Sequence, residues 1–276
     1  MRQPAAAQPL VDCHFHSEHS CDSRAPLAAL CQQALHLGLS YLCPTEHADF
    51  DPQDICYGYL NVNAYSQAVA DCRAQFAGHL TLLKGIEIDY QPRFDAEVRD
   101  FLAQHTFDFV MGSVHYADGL YVGDGLLEAY DPDTAYRRYF DAVRQAAASG
   151  LFDVIGHLDV LKRYGIPRWG AFDPRRYADE IDAILQAAVE TGTGLEINTS
   201  GLQQAPGQTY PCLETLRRYR ELGGKVLTLG SDAHQVANLG QNIRHGLALA
   251  RAAGFKAIAV FVERQPRWLN IALVHQ

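Results

Sequence analysis

Residues 11–16 read VDCHFH, a short apolar run that closes on two histidines, His14 and His16. The same kind of ending recurs along the chain. YLCPTEH (41–47) closes on His47, LLKGIEID (82–89) carries Glu87, and FVMGSVH (109–115) closes on His115. DVIGHLD (153–159) carries His157, and VLTLGSDAH (226–234) carries Asp232 and His234. Metal-type side chains at the C-terminal ends of six strands meet at one place only if those strands lie parallel. In a closed parallel barrel the strand ends form one rim, which is where such folds place their chemistry. The chain reads as a multinuclear metalloenzyme on a β/α barrel.

Helical runs alternate with these strands, as in βα repeats around a parallel sheet. Leu27, Leu30, Ala34 and Leu37 recur at helical spacing, with Pro26 near the start and Gly38 near the end. The pattern predicts further helices near 62–77, 94–104, 131–149, 175–191, 211–222 and 241–253. Residues 48–59 and 161–174 read as irregular, and the Gly- and Asp-rich 116–131 reads as a long loop over the rim. The last apolar run, KAIAVFVER (256–264), is open to two readings, an eighth strand or a closing segment. No repeat or linker divides the chain, so residues 1–276 are read as one domain, with 1–9 as a flexible leader.

Composition bounds the function. A hydrophobic fraction of 48% and a charged fraction of 20% are ordinary for a soluble domain. No apolar run approaches the roughly 20 residues that a membrane span needs, and the opening lacks the apolar core of a signal peptide. A net charge of -9 argues against a nucleic-acid partner. The seven cysteines (13, 21, 31, 43, 56, 72 and 212) form no CxxC pair, and they read as reduced, mostly buried thiols of a cytoplasmic protein.

His14 and His16, two apart on a strand, share one face and can chelate one ion. Neutral imidazole suits Zn, Fe or Mn. Asp12 precedes the pair and Asp22 follows it. Hydrolysis of a phosphate ester explains why so many ligands gather. Water must ionise near neutral pH, the phosphoryl oxygens need positive charge, and the leaving alkoxide is poor; neighbouring divalent cations answer these needs. A general acid on the leaving side completes the chemistry.

DCHFHSEHSCDS, PTEHADFD, KGIEIDY, FDFVMGSVHY, DVIGHLDVLKRYG, LEINTSGL and GGKVLTLGSDAH together resemble the PHP (polymerase and histidinol phosphatase) family. More narrowly they resemble its bacterial histidinol-phosphate phosphatases, from about residue 10 to 255 with motifs in order. The resemblance implies a distorted (β/α)7 TIM-like barrel with a trinuclear centre. It assigns His14, His16, Glu87 and Asp232 to one metal. Glu87 bridges to a second, completed by His115 and His157. A third takes His47 and His234 with Asp22, where many relatives carry histidine; His19 lies nearby and competes for that role. Three divalent ions are implied, of Zn, Fe or Mn, singly or mixed.

The implied reaction is hydrolysis of L-histidinol phosphate in histidine biosynthesis. Arg163 is the better phosphate-binding candidate by resemblance, since a guanidinium fork suits the dianion, with Lys162 beside it as a point charge. Asn198, Thr199 and Ser200 close a strand where short polar side chains bond phosphate, orient a ligand or cap a helix. Asp159 and Glu46, beside ligand histidines, are candidates for fixing imidazole tautomers. Tyr116 and Tyr121 are candidates for lining the pocket. Asp232 or His234 relays the proton. Two other readings stand beside this one: a PHP-type phosphatase for another small phosphomonoester or phosphotyrosine, and a catalytically idle metal-binding barrel.

Overall fold

The computed structural model describes residues 10–271. The leader read over residues 1–9 lies outside the described residues. Thirteen strands and nine α-helices follow one another among the described residues. β1 (Leu10–Asp12) leads through α1 (Leu27–Leu37) to β2 (Leu39–Leu42) and β3 (Thr45–Ala48). α2 (Val62–Gln75) precedes β4 (Thr81–Leu82) and β5 (Gly85–Asp89), and α3 (Asp95–Gln104) precedes β6 (Phe109–Ser113). β7 (Tyr116–Ala117), β8 (Leu120–Tyr121), α4 (Gly125–Ala129) and α5 (Pro132–Ala148) lead to β9 (Val154–Ile155). Then come α6 (Leu161–Trp169), α7 (Ala178–Thr191), β10 (Gly194–Asn198), α8 (Leu213–Glu221) and β11 (Leu227–Gly230). α9 (Ile243–Ala252) is followed by β12 (Ala257–Val262) and β13 (Gln265–Asn270).

The strands assemble as β1-β2-β4 and β11-β10-β9-β6-β5-β3, and every pairing within these two sheets is parallel. β2 and β3 are one barrel strand interrupted at Pro44, which has no N–H to give the ladder. Hydrogen bonds run on across the interruption, from Cys43 N–H to the Asp12 carbonyl (2.9 Å) and from Thr45 N–H to the Phe15 carbonyl (2.9 Å). β4 and β5 are joined in the same way past Leu83. The barrel closes between β1 and β11, where Cys13 N–H reaches the Leu229 carbonyl (2.8 Å) and Asp232 N–H reaches the His14 carbonyl (2.7 Å). Seven staves result, near 10–16, 39–48, 81–89, 109–113, 154–155, 194–198 and 227–233, which is the distorted (β/α)7 barrel expected from the sequence.

α1 begins after Pro26 and stops at Gly38, whose φ of 71° is the left-handed cap that glycine supplies. Two segments depart from the sequence reading, and a third resolves a choice it left open. The run 116–131 is a two-stranded hairpin plus α4, because Asp118-Gly119 turns with positive φ at both positions. The run 161–174 begins as α6 although it contains Pro167; the proline sits in the last turn, where few backbone bonds remain to be lost. Of the two readings of the final apolar run, the closing segment is the one found, not an eighth stave. β12 and β13 form an antiparallel hairpin across the N-terminal end of the barrel, where Phe261 stacks on Phe109 at 5.3 Å and Arg264 binds Asp153 at 2.9 Å.

The core fills without slack at Gly112, where an added Cβ would lie 2.4 Å from the ring of the buried Phe152. Gly112→Ala is expected to lower stability by about 1–3 kcal/mol, the usual consequence of overpacking. Chemical denaturation checks this, and an unchanged midpoint would mean that the Phe152 ring moves aside freely.

Candidate metal centre

The C-terminal ends of the staves bring nine ligand-type side chains together. At their centre is Glu87, on β5, fully buried. Its Oε2 lies 3.4 Å from His14 Nε2, 3.5 Å from His16 Nε2 and 3.2 Å from His47 Nδ1. Its Oε1 lies 3.0 Å from His157 Nε2 and 3.9 Å from His115 Nε2. Asp232 Oδ1 stands 3.6 Å and 3.5 Å from the Nε2 atoms of His14 and His16. Asp22 Oδ2 lies 2.8 Å from His234 Nε2 and 3.4 Å from His47 Nε2. Donor atoms on a tetrahedral cation with bonds of about 2.0–2.1 Å sit about 3.4 Å apart. These separations have that size.

Hydrogen bonding fixes the imidazoles so that their lone pairs face inward. In the neutral ring, His14 Nδ1 donates to Glu196 Oε1 at 2.7 Å, which leaves Nε2 without a proton. Ser20 Oγ donates to Glu46 Oε2 at 2.6 Å and therefore accepts from His16 Nδ1 at 3.1 Å. His16 Nε2 is then also bare, and it faces His14 Nε2 at 3.3 Å. Two bare ring nitrogens at that distance cannot bond to each other; they fit a cation between them. Glu87 Oε2, buried among three imidazoles, has no hydrogen-bond partner. The donor set fits divalent metal.

Protonation alone satisfies the cluster badly. Burial works against the charge of His14, but Glu196, Glu87 and Asp232 hold its pKa well above the usual value. Burial and the charges of His47 and His234 push His16, its neighbour, down to about 3. His47 rises to about 10 because Glu87 and Asp22 outweigh its burial. Burial opposes ionisation of Glu87 and Asp232 too, and the surrounding histidines nevertheless hold both well below the carboxylate range.

The structure separates the two contenders for the third group. Asp22 gathers with His16, His47 and His234. His19 turns instead toward Tyr65, with ring centroids 5.6 Å apart. The reading of seven reduced cysteines needs a correction. Cys21 and Cys56 are joined as a disulfide, because residues 51–60 fold back over the Asp22 loop and bring the two Cα atoms to 5.3 Å. The other five are free and buried, as expected.

Lys162 is also corrected. It is fully buried, donates to Asp159 Oδ2 at 2.7 Å and to the Thr209 carbonyl at 2.9 Å, and so has no charge to offer a phosphate. Asp159 neutralises Lys162 and orients no imidazole. Asn198 is buried and donates to Asp232 Oδ2 (3.3 Å), while Ser200 donates to Asn198 Oδ1 (2.7 Å), so the pair steers a ligand. Thr199 caps nothing and donates instead to the Gly230 and Gln241 carbonyls. Arg163 is exposed, makes no ion pair within 4.0 Å among the described residues, and lines a cavity of about 380 Å³ over the cluster. Tyr116 and Tyr121 line the same cavity.

Three contributors escaped the sequence reading. Glu196 binds His14 with one oxygen and accepts from His157 N–H (2.7 Å) with the other. Its signal was a charge inside the apolar strand GLEIN, where an alternating pattern puts it in the barrel. Asp49 and Asp54 line the cavity from a segment that reads as loop. Loop composition carried no sign of that.

Residues 12–200 match the PHP domain family. The probable histidinol-phosphatase of Deinococcus radiodurans is 31% identical over 258 residues, covering 90% of this chain and 95% of its own. The histidinol-phosphatase of Lactococcus lactis is 31% identical over 255 residues, covering 91% and 94%. The crystal structure of histidinol phosphate phosphatase from Lactococcus lactis, complexed with Zn, L-histidinol and phosphate, superposes with a TM-score of 0.87 at 29% identity, covering 94% of this chain and 98% of that one. With more than half its length matched by the family, and with full-length relatives at this identity, the chain belongs to the PHP domain family, on the branch of the histidinol-phosphatases.

Proposed function

We propose that this chain is a metal-dependent phosphomonoesterase that hydrolyses L-histidinol phosphate to L-histidinol and inorganic phosphate, a step of histidine biosynthesis in the cytoplasm. One observation carries the reading: a single buried carboxylate, Glu87, is ringed by the nitrogens of five histidines at 3.0–3.9 Å. The Lactococcus lactis relative, bound to Zn, L-histidinol and phosphate, supports the substrate.

Three divalent cations, of Zn, Fe or Mn, account for the donors. His14, His16, Glu87 and Asp232 would hold the first, Glu87, His115 and His157 the second, and Asp22, His47 and His234 the third. Such cations, when bound, neutralise phosphoryl oxygens and allow water to ionise near neutral pH. The chain supplies the rest. Arg163, with no carboxylate to bind, offers its guanidinium fork to the phosphate. Asp232, steadied by Asn198, or His234 beside it would relay a proton from the attacking water to the leaving oxygen. Glu196 keeps the His14 lone pair aimed inward.

Full chelation is expected to abolish phosphate release from histidinol phosphate, and restored metal to recover it; turnover by metal-free protein would end this mechanism. Metal analysis is expected to count three ions per chain. Glu196→Gln weakens the hold on the His14 tautomer, and about 10–100-fold weaker metal binding is expected; titration with a competing chelator measures it. Arg163→Met is expected to raise KM about tenfold or more while kcat changes less, and an unaltered kcat/KM would remove Arg163 from the phosphate site. Steady-state comparison with phosphotyrosine separates the histidinol-phosphate reading from its rival.

A further inference from the structure

The cavity above the metal cluster carries more carboxylate than the cluster needs. Asp49 and Asp54 line it together with Arg163, Tyr116, Tyr121 and Tyr164. The tyrosines form a row: Tyr116 and Tyr121 have ring centroids 5.6 Å apart, and Tyr121 and Tyr164 6.2 Å. The Arg163 guanidinium lies over Tyr164 at one end, 5.3 Å from the ring centre. At the other end Asp54 lines the cavity beside Tyr116. A cation and an anion therefore stand at the two ends of one aromatic surface.

Asp49 stands within 4.8 Å of the His47 and His115 ring nitrogens, whereas Asp54 has no counter-charge within 4.0 Å among the described residues. Asp54 and Asp49 offer oxygens within 4.8 Å of each other. Neither makes an ion pair among the described residues. Asp54 Oδ1 accepts from Cys56 N–H at 2.6 Å, which leaves its other oxygen to the cavity. Asp49 Oδ2 is buried and has no partner at all. A buried carboxylate oxygen without a donor is costly, and a bound ammonium group would satisfy it. The Cys21–Cys56 disulfide ties the segment bearing Asp54 to the loop bearing Asp22, so the acidic end keeps its position relative to the metal ligands.

The proposed substrate has matching polarity: a phosphate dianion, an ammonium group a few bonds away, and an imidazole. Resting on the reading given above, we propose that Asp54, with Asp49, forms the subsite that takes the ammonium group of the substrate and so selects an amino-alcohol phosphate over uncharged esters. The imidazole then lies against Tyr116 and Tyr121.

Asp54→Asn is the discriminating variant, because asparagine keeps the acceptor for Cys56 N–H and loses the charge. The ratio of kcat/KM for histidinol phosphate to that for 4-nitrophenyl phosphate is expected to fall at least tenfold, mainly through KM. Calorimetry with L-histidinol alone is expected to show a similarly weaker Kd, and Asp49→Asn to act in the same direction. Metal content is expected to stay at the wild-type level in both variants. An unchanged ratio with unchanged L-histidinol binding overturns the subsite, and so does loss of metal from either variant, which would make these carboxylates ligands. A wild-type protein that hydrolyses 4-nitrophenyl phosphate but neither turns over histidinol phosphate nor binds L-histidinol overturns the substrate reading, and the subsite with it.

Discussion

A carboxylate sealed in a barrel among five imidazoles is the constraint around which the rest is arranged. Glu87 is fully buried, and an isolated buried charge of that kind is strongly unfavourable. Hydrogen bonds offset part of that cost: Ser113 Oγ donates to Oε1 at 2.5 Å. Oε2 accepts no hydrogen bond and depends on the charge of the three imidazoles whose nitrogens approach it at 3.2–3.5 Å. Cations relieve both sides at once, because the ligands that repel one another without metal attract it together. Metal binding and the integrity of this rim are therefore one equilibrium.

The backbone makes such crowding possible. Parallel register sets His47 opposite Glu87 on adjacent staves, so their side chains rise from the same layer. Alternation along β1 points His14 and His16 inward, while Phe15 between them packs in the core. Gly230 allows the His14–Glu196 contact. A Cβ there would lie 2.2 Å from Glu196 Oε1 and 2.3 Å from His14 Cβ, so only glycine permits this approach. The hairpin β12–β13 covers the opposite end of the barrel and leaves the rim free for chemistry.

The barrel and the ligands were legible because both follow from one rule, polar donors at the ends of apolar runs that alternate with helices. The rule reads residues that point along strands, and it singled out eight of the nine candidate ligands; Asp22, on a loop, came from the resemblance alone. It could not read direction in loops. Lys162 and Arg163 are adjacent, and only the turn of α6 decides that one is buried against Asp159 while the other faces the cavity. Pairings across the chain were equally hidden: Cys21 and Cys56 are 35 residues apart, and no spacing rule joins them. Glu196 sat in plain view as a charge in a strand, but its partner is 182 residues away.

The third ligand group differs in kind from the other two. His14, His16, Glu87 and His157 are buried, whereas the Asp22 side chain keeps 35% of its surface exposed and His234 keeps 34%. Exposure weakens electrostatic attraction, since nearby water screens it. One member of the outer group, Asp22, also hangs on a loop rather than a stave, and that loop is held by Ser23, whose hydroxyl reaches the His234 carbonyl at 3.0 Å, and by the Cys21–Cys56 bond. A carboxylate at position 22 adds negative charge beside two imidazoles, and this compensates for the exposure. Inner ions would thus be secured by burial and a shared carboxylate, and an outer one by charge and a covalent tie. In chelator competition the outer ion is the first to leave, and disulfide reduction hastens its loss and not that of the inner pair; simultaneous release of all three would show one cooperative site.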